Sequence, residues 1–531
     1  MSAQRAQKFV IQPFKHSQQM DEDYANKTWK TLHNAIQEIH RQNASGLSFE
    51  ELYRNAYNMV LHKFGDKLYS GLVETITLHL RSVAAEIQAC RDDEFLTVLK
   101  DRWEKHKLSS IMIRDILMYM DRTHVVAQKK MPVYERGLAI FREEVCRCAR
   151  IKERLLSTLL DLVHRERMGE LIARGLVKTI VGMFVELGRD IYRADFETPF
   201  LRETAIFYQA ESDEYIVQNS AADYMRKAEQ RLNEEADRVT SYLDKSSDPK
   251  LREVAERELI AKHMRTLADM ENSGIVVMLE DNKLDDLARA YELFKRVKEP
   301  TDGLGVIRDI MAKHVKAKGL ALVGDEERNR DPVSYVQGLL QLRDKYDRVI
   351  QVACAGDKQF INALNGAFEH FVNQNQRSPE YVSLFIDDHM RRGLKGTSEE
   401  EVEVVLDKVV MIFRYLQEKD VFEKYFKQHL AKRLLGGRSV SDDVERSMLQ
   451  KLKVECGYQY TTKLEGMFND MKARTPPLPP PPSGASRRVR ISRRISANIF
   501  RRRSRPIRMT RSGGRWGAAR KSTGSSCTCT C

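Results

Sequence analysis

Few side chains in this 531-residue sequence are spaced for chemistry. Cys527, Cys529 and Cys531 end it, and three thiolates could hold a soft metal ion. A structural zinc site takes four ligands, however, and no histidine stands nearby to complete the set. Cys146 and Cys148 lie two apart in a stretch that reads as one helix. At about 100° per residue their side chains diverge by about 200°, so they read as two packed thiols rather than joint ligands. Gly303 and Gly305 lack the third glycine and the preceding strand of a dinucleotide site, and no phosphate loop, His-Glu-x-x-His or Cys-x-x-Cys occurs. His62 and His124 each sit beside apolar residues and read as packed helix residues. The expectation is a protein without catalytic residues, bound metal or cofactor.

A row of aromatics is more informative. Ser48 and Glu51 have the spacing of a capping box, in which hydroxyl and carboxylate each satisfy a free backbone N–H at a helix start. Behind them Phe49, Leu52, Tyr53, Ala56, Tyr57, Val60 and Leu61 fall on one helix, over an arc of about 180°, wider than one buried face needs. Phe49, Tyr53 and Tyr57, at i, i+4 and i+8, lie along one edge of that arc. Tyrosine suits a surface dry on one side and wet at its tip. The alternative is that all three are core, and periodicity by itself favours that.

The elements that must position these residues are helices. Seven of fourteen prolines lie after Met471, leaving seven in the first 472 residues, and so few breakers permit long helices. Trp29, Leu32, Ile36 and Ile39 step by three, four and three. Helical runs follow at Ser109 to Arg122, Arg154 to Val163, Leu251 to Met270, Ser334 to Arg343, Val402 to Leu416 and Asp420 to Leu435. Alternating strand patterns are nearly absent, so the body is expected to be all-α, an elongated stack of helix bundles or a solenoid. Joints are expected at Arg165 to Glu170, Asp244 to Lys250, Lys298 to Leu304, Gly324 to Pro332 and Gln374 to Pro379.

Charge divides the sequence sharply. The whole carries 89 Lys+Arg against 76 Asp+Glu, a net of +13. Residues 473–531 hold fourteen Arg, one Lys and no acid, leaving 74 basic against 76 acidic residues before them, a net of −2. The basic pI thus belongs to a tail, and a nearly neutral body argues against nucleic acid as its partner. That tail opens with Pro476 to Pro482, continues in Arg and Ser, and reads as disordered. A 42% hydrophobic, 31% charged composition supplies real cores. No apolar run of about 18 residues suggests a membrane span, and no secretory leader is evident. Cys90, Cys146, Cys148, Cys354 and Cys456, odd in number and unevenly spaced, read as reduced thiols of a cytoplasmic and nuclear protein.

At this point the residues resemble the cullin family, in its branch that binds BTB-domain adaptors. The resemblance is carried by Ser45 to Tyr57 (Ser-Gly-Leu-Ser-Phe-Glu-Glu-Leu-Tyr-Arg-Asn-Ala-Tyr) and by Ile113 to Arg122, similar to the family's second and fifth helices. Arg377 to Tyr381, Phe385 to Asp388, Asp420 to Leu435 and Lys463 to Met471 extend it, so that it covers about residues 8–471. It implies a non-catalytic ubiquitin ligase scaffold: a stalk of helical repeats binds an adaptor at its tip, and a C-terminal region holds a RING-box subunit. Residue by residue it implies adaptor contacts from Leu47, Phe49, Glu50, Tyr53 and Tyr57, with Tyr119 and Arg122, while Leu52, Ala56 and Val60 stay core. Lys8 to Phe14 resembles an N-terminal extension laid into the partner's groove, through Ile11 and Phe14.

The implied organisation is an extension at 1–19, cullin repeats at 20–145, 146–258 and 259–377, the opening helices of the C-terminal region at 378–472, and the tail at 473–531. The α/β part that pairs with the RING-box protein and the lysine modified by neddylation are expected to be missing. An abrupt change after Met471 is the pattern left by a frameshift, a retained intron or a mistaken exon, and it puts RING-box binding in question. The rival reading is a nucleic-acid binder acting through the arginines of the tail, whose affinity would fall steeply with salt.

Overall fold

The computed structural model describes residues 22–298, 302–391, 399–436 and 442–474, and among them every regular element is helical. The first bundle contains α1 (Glu22–His40), α2 (Phe49–Leu61), α3 (Gly65–Ala89), α4 (Phe95–Ile116), the single turn α5 (Met118–Met120) and α6 (Val133–Phe141). Then come α7 (Ala149–Arg167), α8 (Arg174–Leu187), the turn α9 (Arg189–Ile191), α10 (Thr198–Gln218) and α11 (Ala221–Ser241). Later helices include Gly303–Gly324, Pro332–Ala353, Lys358–Val372, Ser378–Arg391, Glu399–Tyr415, Lys419–Gly436 and Asp442–Cys456. Each packs mainly on helices near it in sequence, as in a solenoid. The described residues up to Thr461 form one compact unit; residues 462–474 are the rest of the helix Tyr458–Arg474.

Apolar spacing accounts for the packing. On α1 the expected stripe is real: Leu32, Ile36 and Ile39 are buried and Trp29 packs against the same cluster. Gly71 lets α3 approach Trp29, because a Cβ there would come within 2.4 Å of the indole. One apolar cluster joins buried residues from Leu32 to Phe200 with Val239, Tyr242, Leu243 and Leu251. The joints also sit where composition placed them: α7 ends at Arg167, Asp244 caps the short turn Lys245–Ser247, and Asp331 caps the helix that starts at Pro332.

Two helical runs are interrupted. Ser109 to Arg122 is not one helix: α4 stops at Ile116, Leu117 leaves helical geometry (φ −94°, ψ 11°), and α5 runs into a π-helical turn, Asp121–Val125. That turn is tied sideways, since Asp121 Oδ1 accepts the Val133 N–H at 3.0 Å and Thr123 Oγ1 donates to the Tyr119 carbonyl at 2.6 Å. Leu251 to Met270 likewise breaks into Asp248–Glu256, a π turn Arg257–Ala261 and Met264–Asp269. Neither break carries a Gly or Pro, so composition gave no sign of them. Gly303 opens its helix for a packing reason: a Cβ there would lie 2.2 Å from the Phe294 carbonyl oxygen.

Candidate functional site

The aromatic row starts at a capped helix end. Ser48 is extended (φ −84°, ψ 107°) and its hydroxyl accepts the Glu51 N–H at 3.4 Å. Only this half of the expected capping box forms; the Glu51 side chain is exposed. The cap fixes where the helix begins, and hence which residues face inward. Leu52, Ala56 and Met59 are buried against α1, α3 and α4. Met59, fully buried, takes the core position expected of Val60, which is half-buried at the edge of the same cluster. The signal was present: Leu52, Ala56 and Met59 are i, i+4 and i+7.

With that face inward, the aromatic edge is left outside. Phe49 is 54% exposed, Tyr53 and Tyr57 are half-buried, and Phe49 stacks on Tyr53 with ring centres 6.2 Å apart. Tyr57 meets Tyr119 of α5 at 4.4 Å, the contact that joins the two segments into one surface. Glu50 pairs with Arg54 one turn on, Arg122 is exposed, and Leu47 is half-buried before the cap. The structure therefore gathers Leu47, Phe49, Glu50, Tyr53, Tyr57, Tyr119 and Arg122 around the junction of α2 and α5. Ile11 and Phe14 lie outside the described residues. The π turn matters here, because it follows Tyr119 directly and carries Arg122. Its far side is pinned where His124 comes within 3.3 Å of Asp66 and crowds Gly65, whose Cβ would meet the imidazole at 2.5 Å.

The surface has no chemistry of bond making. It offers aromatic faces, tyrosine hydroxyls and one exposed ion pair, the makings of a protein contact. Elsewhere in the first bundle three imidazoles converge. His40 stacks on His79 at 4.2 Å with rings 9° from parallel, and His106 Nε2–H donates to the Gly137 carbonyl at 3.0 Å. Burial pushes His40 down to about 3 and His106 down to about 4. His40 Nε2 and His106 Nδ1 are buried without partners. Face-to-face rings cannot aim lone pairs at a common ion, and among the described residues no group of His, Cys, Asp and Glu could hold a metal. Cys146 ends a π turn and Cys148 caps α7, so they do not share a helix; burial pushes Cys146 up to about 12, which leaves it an inert thiol. No helix among the described residues is long and apolar enough to cross a membrane.

The profile of the cullin alpha solenoid domain matches residues 29–475. Cullin-3B and Cullin-3A of Arabidopsis thaliana are each 55% identical to the chain over 472 residues, which is 89% of it and 64% of theirs. Cullin-3 of Dictyostelium discoideum is 54% identical over 460 residues, 86% of this chain and 59% of its own. The chain thus spans somewhat under two thirds of the length of these relatives.

Proposed function

The chain belongs to the cullin family and is of the cullin-3 type, and from that premise we propose that it is a non-catalytic scaffold of a ubiquitin ligase whose α2–α5 surface binds BTB-domain adaptors. The observation that carries the reading is the outward aromatic edge, Phe49, Tyr53 and Tyr57 with Tyr119, on a helix whose other face is already buried in the core. Large aromatic side chains are the usual anchors of protein interfaces, because they bury much area while fixing few torsions. A stack of packed helices also suits a scaffold that holds substrate and enzyme at a set distance, which is catalysis by proximity. Action in cytoplasm and nucleus belongs to the same proposal, as does the division into three cullin repeats; RING-box binding stays in question and is not part of it.

The test is co-precipitation of BTB proteins by Tyr53→Ala and Tyr57→Lys chains. Both are expected to lose it while far-ultraviolet circular dichroism and the thermal midpoint stay native. Retention of binding at the unsubstituted level in both removes the interface assignment.

A further inference from the structure

Away from the adaptor-facing surface, α7 and α10 leave between them a groove of about 710 Å³. Its floor is held in place from below: the buried Arg167 guanidinium lies under the rings of Phe207 and Tyr208, at 5.3 and 5.2 Å, and is fixed by Glu235 and Thr204. The groove's own surface is apolar and wet, with Ile206 at 55% exposure and Met168 at 66%. Around it stand three carboxylates, Asp161, Glu203 and Glu214. All three are exposed; Arg165, itself paired with Glu170, also attracts Asp161, while no ion pair engages Glu203 or Glu214 among the described residues. The nearest lysine, Lys227, is turned toward Glu211.

We infer that this groove is a second docking surface, taking an amphipathic helix of a partner protein whose apolar stripe is flanked by Lys or Arg. Three arguments select that occupant. The walls are helices, whose backbone groups are satisfied internally, so the groove has no strand edge for an extended peptide to pair with and helix-in-groove packing remains. α10 lines the groove from Phe200 to Gln218, about 27 Å at 1.5 Å per residue, the reach of about five turns of a docked helix, with Ile206, Phe207 and Ala210 as its apolar wall. Two unpaired carboxylates, Glu203 and Glu214, with Asp161 beside them, border apolar surface; they repel an acidic helix and complement a basic one. A floor already fixed by Arg167 need not be ordered on binding, which lowers the cost of association.

The experiment is fluorescence anisotropy on the full chain, with a labelled peptide of Leu, Ala and Lys carrying leucines at helical spacing. Saturable binding is expected, weakened at least about tenfold by the double reversal Glu203→Lys/Glu214→Lys and by Ile206→Asp, all at exposed positions. The reversal Asp269→Lys/Glu271→Lys, outside the groove, is expected to leave it unchanged, and the same peptide with Glu in place of Lys is expected not to bind. Equal affinity of the groove variants and the unsubstituted chain overturns the proposal, as does absence of saturable binding. Binding that appears only after Arg487, Arg488, Arg490, Arg493 and Arg494 are changed to Gln assigns the groove to the chain's own arginines instead. Concentration-dependent dimers abolished by Ile206→Asp assign it to a second copy; either result overturns the external partner.

Discussion

The first bundle and the one built by α7, α10 and α11 solve the same packing problem with different materials. In the first, every buried polar side chain is neutral: Thr28, Thr75, His106, Ser109 and Ser110, with His40 and His79 stacked on each other at intermediate depth. In the second, charges fill the centre. Arg167 Nε and Arg238 Nη1 both donate to Glu235 Oε1 at 2.9 Å, and Tyr208 donates to the same carboxylate. Arg238 Nε and the Tyr242 hydroxyl reach Glu166 at 3.0 and 2.7 Å. The contrast teaches where each bundle keeps its polarity. The first holds charge out of its core and turns aromatics outward at α2; the second locks charge inside and leaves unpaired carboxylates at its rim. A paired buried network adds little net stability over apolar packing, but any single deletion strands its partners.

The largest expected effect tests that asymmetry. Glu235→Leu removes the acceptor of two buried guanidiniums and a tyrosine hydroxyl, and urea denaturation is expected to show a loss of roughly 3–5 kcal/mol. Replacing Arg167 and Glu235 together by Met and Leu should cost less than Glu235→Leu alone; an equal or greater loss would mean the network is worth more than its pairing. In the first bundle, Met59→Ala is expected to cost about 2–4 kcal/mol by opening a cavity beside Leu52 and Ala56.

Acid sharpens the comparison further at two places, His40 with His106 in the first bundle and Glu166 in the second, where among the described residues burial holds only one imidazole, His263, below its ordinary value. Burial holds His40 and His106 below the ordinary 6.5, so the unfolded chain takes up protons first, and stability present above pH 6.5 is lost as pH falls toward 4. For Glu166, burial pushes the carboxyl up, but hydrogen bonds from Tyr242 and Arg174 and the charge of Arg238 outweigh it and hold it below 4.5. Its contribution is present above pH 4.5 and lost only below. Tryptophan emission of a Trp516→Phe chain, which leaves Trp29 and Trp103 of the first bundle as reporters, should therefore respond to acid before far-ultraviolet circular dichroism shows general loss of helix. A common midpoint would erase the distinction.

Smaller effects probe the aromatic surface. Ser48→Ala should cost about 1 kcal/mol through the lost cap. Tyr53→Ala should cost under about 1 kcal/mol in denaturation despite abolishing adaptor co-precipitation, which separates an interface residue from a core one.

How much was legible follows the range of the interactions. The start of α2 could be read because its cap is three residues long, and its inward face because helix periodicity is local. Even so, periodicity could not decide whether Tyr53 and Tyr57 faced core or solvent; only the resemblance to a family did so before the structure placed them. The break at Leu117 left no mark, since its causes are Asp121 reaching Val133 and Thr123 bonding back to Tyr119, neither a matter of composition. The pairing of Arg167 with Glu235 across 68 positions leaves no local pattern either.

The sequence by itself determined the helical class, the joints between helices, the two-part charge distribution and the family, because each depends on residue types within a turn or two of one another, or on long matching stretches. Tertiary structure alone decided that Tyr57 meets Tyr119, that three histidines share one core, and that Arg167 and Glu235, 68 positions apart, close a network under an acidic groove. Pairings at such separations are set by how helices stack, and a linear pattern holds no record of which distant face each helix will meet.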